Sequence, residues 1–140
     1  MARERVETRA RARALQALYA WDVRGGRNLE RVATQVWDDL AVPPDERRLA
    51  EVIVRSVIDR GKELDRGIEE VTENWRLERV GAIERSVLRL AAAELTGAST
   101  PPRVVVKEAV RLAERYGSAK SAKFVNGVLD ALARRLGKFA

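Results

Sequence analysis

The sequence has 140 residues, 46% of them hydrophobic and 34% charged, and a formal net charge of +6. This length and apolar content are enough for one folded domain with a core, whereas disordered chains contain too few apolar residues to offset the entropy of ordering. Because Cys and His are both absent, disulfides, thiol nucleophiles, imidazole bases and Cys/His metal sites are excluded, and most familiar enzyme sites with them.

The apolar residues of the first segment recur at helical spacing. They run from Ala10 to Trp21 along one stripe, and Gly25-Gly26 ends this first helix. Asn28 then predicts the cap of a second helix, which stops before Pro43-Pro44 because two consecutive prolines break the helical pattern.

A long third helix is predicted after the prolines. Asp45 and Glu46 complement the positive end of its dipole. Gly61 and Gly67 are the two candidate kink positions, and the sequence leaves open whether the helix is broken at Gly61. The predicted buried stripe contains Leu49, Val52, Ile53, Val57, Gly61, Leu64, Ile68, Val71 and Trp75.

Two more helices follow, each bounded by a residue typical of a helix end. The fourth helix buries apolar residues from Val80 onward and ends near Gly97. Pro102 suits the first turn of the fifth helix, and Gly117 is predicted as its left-handed stop.

A sixth helix ends the chain. Ser118 or Ser121 caps it, and its apolar period continues through Asn126-Gly127. Gly127 is therefore interpreted as a close-packing point and not as part of a hairpin turn. Since no strand-like alternation occurs, we predict an all-α architecture of about six helices with short loops, forming a single domain over residues 1–140.

The charges are unevenly distributed along the chain. Residues 1–27 carry a net charge of +4, residues 28–95 carry −4 and residues 96–140 carry +6, and 22 of the 27 basic residues are Arg. Arginine offers a flat fork of donors that suits phosphate and stacks on bases. Two basic ends around an acidic middle indicate two surfaces with different partners, although chance clustering on a solvated exterior is the alternative.

Sites for small ligands have little support in the sequence. Neither GxxxxGK[ST] nor GxGxxG occurs, and the carboxylates of Glu69-Glu70 and Glu73 are interpreted as a solvated helix face that pairs with Arg66 and Arg76. We therefore expect no catalytic residue, metal or cofactor. The apolar runs are far shorter than the roughly 20 residues that cross a bilayer, and no leader-like segment is evident, so we expect a cytoplasmic protein without membrane contacts.

The basic N-terminal segment has a pattern that favours RNA binding. Arg5, Arg9 and Arg13 are spaced four residues apart on the side of the first helix opposite its apolar stripe, and Arg11 and Tyr19 lie along the border of that stripe. These residues predict a ridge of guanidinium groups, with a merely solvated face as the alternative.

The last helix carries an aromatic residue beside a cation. Phe124 lies at the margin of the apolar stripe, with Lys120 one turn before it. This arrangement suits single-stranded RNA, whose unpaired bases stack on rings while cations meet phosphate; a core position for Phe124 is the alternative. We expect the two basic ends to meet in the folded chain on one patch that binds an unpaired transcript.

Four stretches of the sequence match a known family pattern. They are Ala14–Tyr19, Leu64-Asp65 followed by Trp75, Ile83–Arg89 with Glu94-Leu95, and a C-terminal run that contains Glu108–Val110, Leu112-Ala113, Tyr116-Gly117 and Ser121–Asp130. Together they resemble the NusB family of transcription antitermination factors over essentially the whole chain.

The resemblance implies a fold and a function. The fold is all-helical, with two small helix bundles packed together, and the protein is not an enzyme. It binds a single-stranded RNA element, boxA, in nascent ribosomal or phage transcripts, jointly with ribosomal protein S10, called NusE in this role. The pair joins other Nus factors on RNA polymerase to suppress premature termination, notably on ribosomal RNA operons.

The resemblance also implies roles for individual residues. The arginine-rich motif of the family corresponds to Arg9-Ala10-Arg11, and its RNA-contacting aromatic residues correspond to Tyr19 and Phe124. Glu84 corresponds to the carboxylate associated with S10 binding, and we place Glu78 of the same acidic segment in that contact. A basic ribosomal protein on the acidic middle would explain the division of charge. The predicted RNA-binding residues are Arg5, Arg9, Arg11, Arg13, Tyr19, Lys120 and Phe124.

Two departures from the family pattern bear on these roles. Glu7-Thr8 stand where some relatives are basic, which shifts the arginine ridge toward Arg3, Arg5 and Arg13. Lys120 occupies a position that is acidic in some members, and a cation there favours RNA affinity.

Two other functions remain as alternatives. A NusB-like module also precedes the catalytic part of certain RNA methyltransferases, but 140 residues leave no room for a cofactor-binding βαβ domain. The other alternative is a helical scaffold or homodimer without a role in RNA binding. Some relatives self-associate, and homodimerisation could hide the RNA-binding face until S10 or RNA competes for it.

Overall fold

The computed structural model describes residues 5–72, 76–97 and 99–139. Within these ranges it contains six α-helices, one 3₁₀ turn and no strand, which confirms the predicted all-α fold. The helices are α1 (Val6–Val23), α2 (Leu29–Asp39), α3 (Pro44–Val71), α4 (Ala82–Thr96), α5 (Pro102–Tyr116) and α6 (Ala119–Arg135), and the 3₁₀ turn is Leu77–Arg79. Three residues named above, Arg3, Glu73 and Trp75, lie outside the described residues.

The chain forms two compact units that divide inside α3. The first unit ends at Asp59 and the second begins at Arg60. At Arg60 the backbone leaves helical values (φ −128°, ψ 20°), one residue before Gly61, so the structure decides a point that the sequence left open: the helix is interrupted here. Gly67, the other candidate position, keeps helical dihedral angles.

Helix α1 is buried on more than the single stripe that the sequence predicts. Its buried residues are Ala10, Arg11, Ala12, Ala14, Leu15, Ala17 and Leu18. At 100° per residue these positions span roughly 220° of the helix circumference. Arg11 is buried because it lies in the middle of this arc, whereas the sequence places it at the border of a narrower stripe.

The buried line of α3 in the first unit differs from the predicted one. Leu49 and Val52 were expected in the core, but 38% and 64% of their surfaces are exposed. Ile53 and Val57 are buried as predicted, and Glu46, Ala50 and Val54 complete the buried stripe. Val52 lies roughly 120° around the helix from Glu46. The true stripe therefore includes a charged residue that a hydrophobicity pattern omits.

The second unit is built mainly from α4, α5 and α6, which pack on one another. Val87, Leu90, Val125 and Leu129 are at most 1% exposed and belong to its core. Val80 is also buried, as predicted, but it precedes α4 and ends the 3₁₀ turn, which the sequence analysis missed.

Two glycines of the second unit differ from their predicted roles. Gly117 ends α5 with φ −115°, so it is not a left-handed stop. A Cβ at this position would lie 2.7 Å from both the carbonyl oxygen of Ala113 and Oγ of Ser121, and this close approach is what requires glycine. Gly127 is exposed and a Cβ there would meet no heavy atom within 4 Å, so its interpretation as a close-packing point is wrong.

Candidate nucleic-acid interface

The predicted RNA-binding residues of α1 differ in exposure. Arg5 is exposed, Tyr19 is 39% exposed, and Arg9 and Arg13 keep 33% and 27% of their side-chain surfaces accessible. Arg11 is only 6% exposed. The accessible cations of α1 are therefore those spaced four residues apart, which follow one side of the helix as predicted.

A buried carboxylate joins two of these arginines. Glu46, in the first turn of α3, is 5% exposed. Its Oε2 accepts a 2.9 Å hydrogen bond from Nε of Arg9, and its Oε1 accepts a 3.1 Å hydrogen bond from Nε of Arg13. A buried carboxylate needs such partners to offset its lost hydration. The sequence analysis related Glu46 only to the helix dipole, because its partners lie 37 and 33 residues away in the chain.

The backbone and side chain of Arg13 have further contacts in the first unit. The indole Nε1 of Trp37 donates a 3.0 Å hydrogen bond to the carbonyl oxygen of Arg13, and Nη1 of Arg13 donates a 3.3 Å hydrogen bond to Oε1 of Gln16. The guanidinium group of Arg47 lies over the Trp37 ring, 5.7 Å from its centroid. Several elements of the unit thus hold Arg13 in place.

The start of α6 holds the other predicted RNA contacts. Ser118 caps this helix as predicted, with Oγ accepting a 3.1 Å hydrogen bond from the backbone N–H of Ser121. Lys120 and Lys123 are exposed in the first turns, and Phe124 is half-buried. Lys123, which was not among the predicted contacts, adds an exposed cation next to Phe124.

Glu84, the first predicted S10 contact, is half-buried and links two helices of the second unit. Its Oε2 accepts a 3.0 Å hydrogen bond from Oγ of Ser121, which joins the first turn of α4 to the first turn of α6. The same carboxylate folds back over Gly81, where an added Cβ would lie 2.6 Å from Oε1. Glu84 thus has a structural contact that the sequence did not reveal.

Glu78, the other predicted S10 contact, is exposed on the 3₁₀ turn and pairs with Arg76 at 3.6 Å. Arg85 stabilises this turn, because its Nη1 donates hydrogen bonds to the carbonyl oxygens of Leu77, Glu78 and Val80. Glu69 accepts a 3.0 Å hydrogen bond from the backbone N–H of Leu77. Glu69 was expected to be part of a solvated face, but it also has this structural contact with the turn.

The predicted residues fall into separate groups. The arginines of α1 and Tyr19 belong to the first unit, whereas Lys120, Phe124 and the two glutamates belong to the second. That the basic residues of both chain ends lie together on one surface patch stays a prediction.

A search of the described ranges finds no group of three or more acidic, His or Cys side chains that could hold a metal ion. No described helix has the length and hydropathy needed to span a bilayer.

Comparison with known proteins adds a family and a structural likeness. The model of the NusB family matches residues 8–134. The transcription antitermination protein NusB of Anaeromyxobacter dehalogenans is 45% identical over 132 residues, which cover 92% of this chain and 91% of the relative.

Two solved structures are similar over nearly the whole chain. One is a crystal structure of antitermination factors NusB and NusE in complex with dsRNA, with a TM-score of 0.84, 32% identity, and coverage of 95% of this chain and 99% of the other. The second is a chain in a crystal structure of a plectonemic RNA supercoil, with a TM-score of 0.87, 32% identity, and coverage of 98% and 100%.

Proposed function

Since the chain belongs to the NusB family, we propose that it is a transcription antitermination factor that binds single-stranded boxA-type RNA together with ribosomal protein S10 (NusE). In this role it helps RNA polymerase, with other Nus factors, to avoid premature termination, notably on ribosomal RNA operons. It acts in the cytoplasm, by binding and not by catalysis. The observation that carries the proposal is the likeness, over 95% of the chain, to a structure of NusB and NusE in complex with dsRNA. It supports binding of RNA and NusE, whereas the preference for a boxA-type single strand comes from the family resemblance.

Exposed cations and rings supply the chemistry for RNA. The predicted contacts with phosphate are supported by the exposure of Arg5 and Lys120 and the partial exposure of Arg9 and Arg13. The exposed ring of Tyr19 supports stacking on an unpaired base. The half-buried ring of Phe124 has the same role, as the family resemblance implies. Arg11 stays among the predicted contacts, but we expect its contribution to be the smallest because it is buried.

Carboxylates of the second unit supply the surface for S10. A basic ribosomal protein is steered by acidic groups, and Glu78 is exposed on a turn that Arg85 holds in shape. Glu84 is half-buried and its carboxylate also accepts a hydrogen bond from Ser121, so only its accessible part is available to S10.

A binding titration tests the proposal directly. The probes are a boxA-like oligoribonucleotide, an unrelated single strand and an RNA duplex, each with and without S10. We expect the tightest binding to the first, strengthened by S10. Equal affinity for all three would contradict the proposal, because it would reveal only nonspecific attraction of a polycation to phosphate.

A further inference from the structure

We propose that Glu46 is a positioning residue for RNA binding: its buried carboxylate holds Arg9 and Arg13 side by side, so that removing this negative charge weakens the binding of RNA. The inference rests on the proposed function and concerns the same surface of α1. It assigns a role in RNA recognition to an acidic side chain that RNA itself would repel.

The hydrogen bonds set the orientation of both guanidinium groups. Each oxygen of the Glu46 carboxylate accepts from one Nε, at 2.9 Å for Arg9 and 3.1 Å for Arg13. Arginine is a long side chain that loses rotamer freedom when it binds a ligand. Because Glu46 already restricts both side chains in the folded protein, they lose less conformational entropy when they bind a phosphate.

The carboxylate also permits two like charges to lie close together. Arg9 and Arg13 are neighbours on one side of α1, and like charges at this spacing destabilise a helix. With Glu46 between them the three groups carry one net positive charge. The cluster thus stays attractive to phosphate while the repulsion between its two cations is reduced.

Burial separates the anion from the RNA-binding surface. The side chain of Glu46 is 6% exposed, whereas those of Arg9 and Arg13 are 33% and 27% exposed. An approaching strand therefore meets the arginines first, and the carboxylate lies behind them. This layering explains how an acidic residue can support the binding of a polyanion.

The proposal predicts a change opposite in sign to that expected from net charge. Replacing an acidic residue near bound RNA by a neutral one ordinarily strengthens binding, because it adds to the attraction of phosphate. Loss of positioning predicts weaker binding. Glu7 provides the matched control, since it is exposed on α1 and has no described side-chain contact.

The experiment compares Glu46→Gln with Glu7→Gln, two isosteric changes that each raise the net charge by one. The dissociation constant for a boxA-type single strand is measured at several salt concentrations, and circular dichroism checks the fold. We expect Glu46→Gln to bind at least about threefold more weakly with a smaller salt slope, and Glu7→Gln to bind equally or more tightly. Glu46→Asp, which keeps the charge on a shorter side chain, should restore part of the affinity.

A Glu46→Gln variant that folds and binds as tightly as the unaltered protein, or more tightly, would overturn the proposal. If this variant does not fold, NMR of the unaltered protein decides the matter. The Nε–H signals of Arg9 and Arg13, assigned with Arg→Lys variants, should exchange slowly with solvent and both shift when RNA is added. Rapid exchange, or a signal that RNA leaves unmoved, would contradict it.

The outcome also separates this inference from the proposed function. If the unaltered protein fails to bind single-stranded RNA, the proposed function fails and the role of Glu46 with it. If RNA binds and both Arg9→Ala and Arg13→Ala weaken it, but Glu46→Gln does not, only the role of Glu46 is lost.

Discussion

At the scale of single residues, the predicted RNA contacts are of two chemical kinds that salt distinguishes. A cation that meets phosphate releases counterions, so its loss lowers both the affinity and the salt dependence. A ring that stacks on a base contributes affinity without counterion release. Lys120 and Tyr19 represent these two kinds, and both are exposed, so that their replacement should leave the fold intact.

For Lys120→Asp we expect RNA binding to weaken by roughly 1 kcal/mol or more and the salt slope to fall, because an acidic group would replace a phosphate-binding cation. Titration of a boxA-type strand at several salt concentrations measures both quantities. Lys62→Asp, on the exposed side of α3, is the matched control for the change in net charge. An affinity and slope that stay the same in Lys120→Asp would remove this residue from the site.

For Tyr19→Leu we expect RNA binding to weaken by about 1 kcal/mol or more, since stacking of one base contributes on this order. Unlike the Lys120 variant, this one should keep the salt slope of the unaltered protein. A tyrosine that merely covers the surface would show no loss of affinity in the same titration.

At the scale of elements, the junction of α5 and α6 depends on a close approach at Gly117. In Gly117→Ala the new methyl group would collide with the Ala113 carbonyl and the Ser121 hydroxyl, both 2.7 Å away. We expect a destabilisation of about 1–3 kcal/mol in urea unfolding. Because φ at this position is negative, the expected loss is attributed to these two close contacts and not to a left-handed backbone.

Gly127→Ala is the matched control for Gly117→Ala, and we expect it to change the free energy of unfolding in the opposite direction. Position 127 is helical, exposed and free of atoms within 4 Å of an added Cβ. Alanine should stabilise the protein there by about 0.5–1 kcal/mol because glycine has the greater backbone entropy to lose. Equal losses of stability in both variants would contradict the steric explanation at Gly117.

The 3₁₀ turn that carries Glu78 depends on hydrogen bonds from the side chain of Arg85. Arg85→Lys keeps the charge but loses the planar fork that reaches several carbonyl oxygens. We expect a loss of about 1–2 kcal/mol in stability and weaker binding of S10, measured by calorimetry. Arg79→Lys, at an exposed position of the same turn, should change neither quantity.

At the scale of the whole molecule, the separation of basic and acidic segments predicts two partners bound at once. In analytical sedimentation, we expect the mass of the chain to increase on addition of boxA-type RNA and to increase again with S10. The scaffold alternative predicts no change with RNA. For a homodimer that RNA dissociates, the mass of the sedimenting species would first fall, as the dimer separates, and then rise when S10 is added.

Several features of the fold could be predicted because they depend on neighbours in the sequence. The cap at Asn28 and the first-turn position of Pro102 were predicted correctly, and the cap of α6 is Ser118, one of the two predicted candidates. Each depends on dihedral preferences or hydrogen bonds within about one helical turn, and apolar periodicity reports on the same range.

Other features depend on which helices pack against each other, and no local sequence pattern reports on these contacts. Glu70 was expected to pair with a nearby arginine of its own segment, but it forms an ion pair with Arg135 of α6. The exposed Val52 shows the same limit for packing, because a periodic apolar residue is buried only if another element covers its side of the helix.

The sequence by itself determined the all-helical class, the starts of the helices at Asn28, Pro102 and Ser118, the basic ends and the family, because composition, capping and motif spacing are properties of the chain as written. Only the tertiary structure decided that Arg11 is buried and that Arg9 and Arg13 share the carboxylate of Glu46. The physical reason is that the burial of a charge and its pairing depend on groups brought together from more than thirty residues away, where no periodicity or local propensity acts.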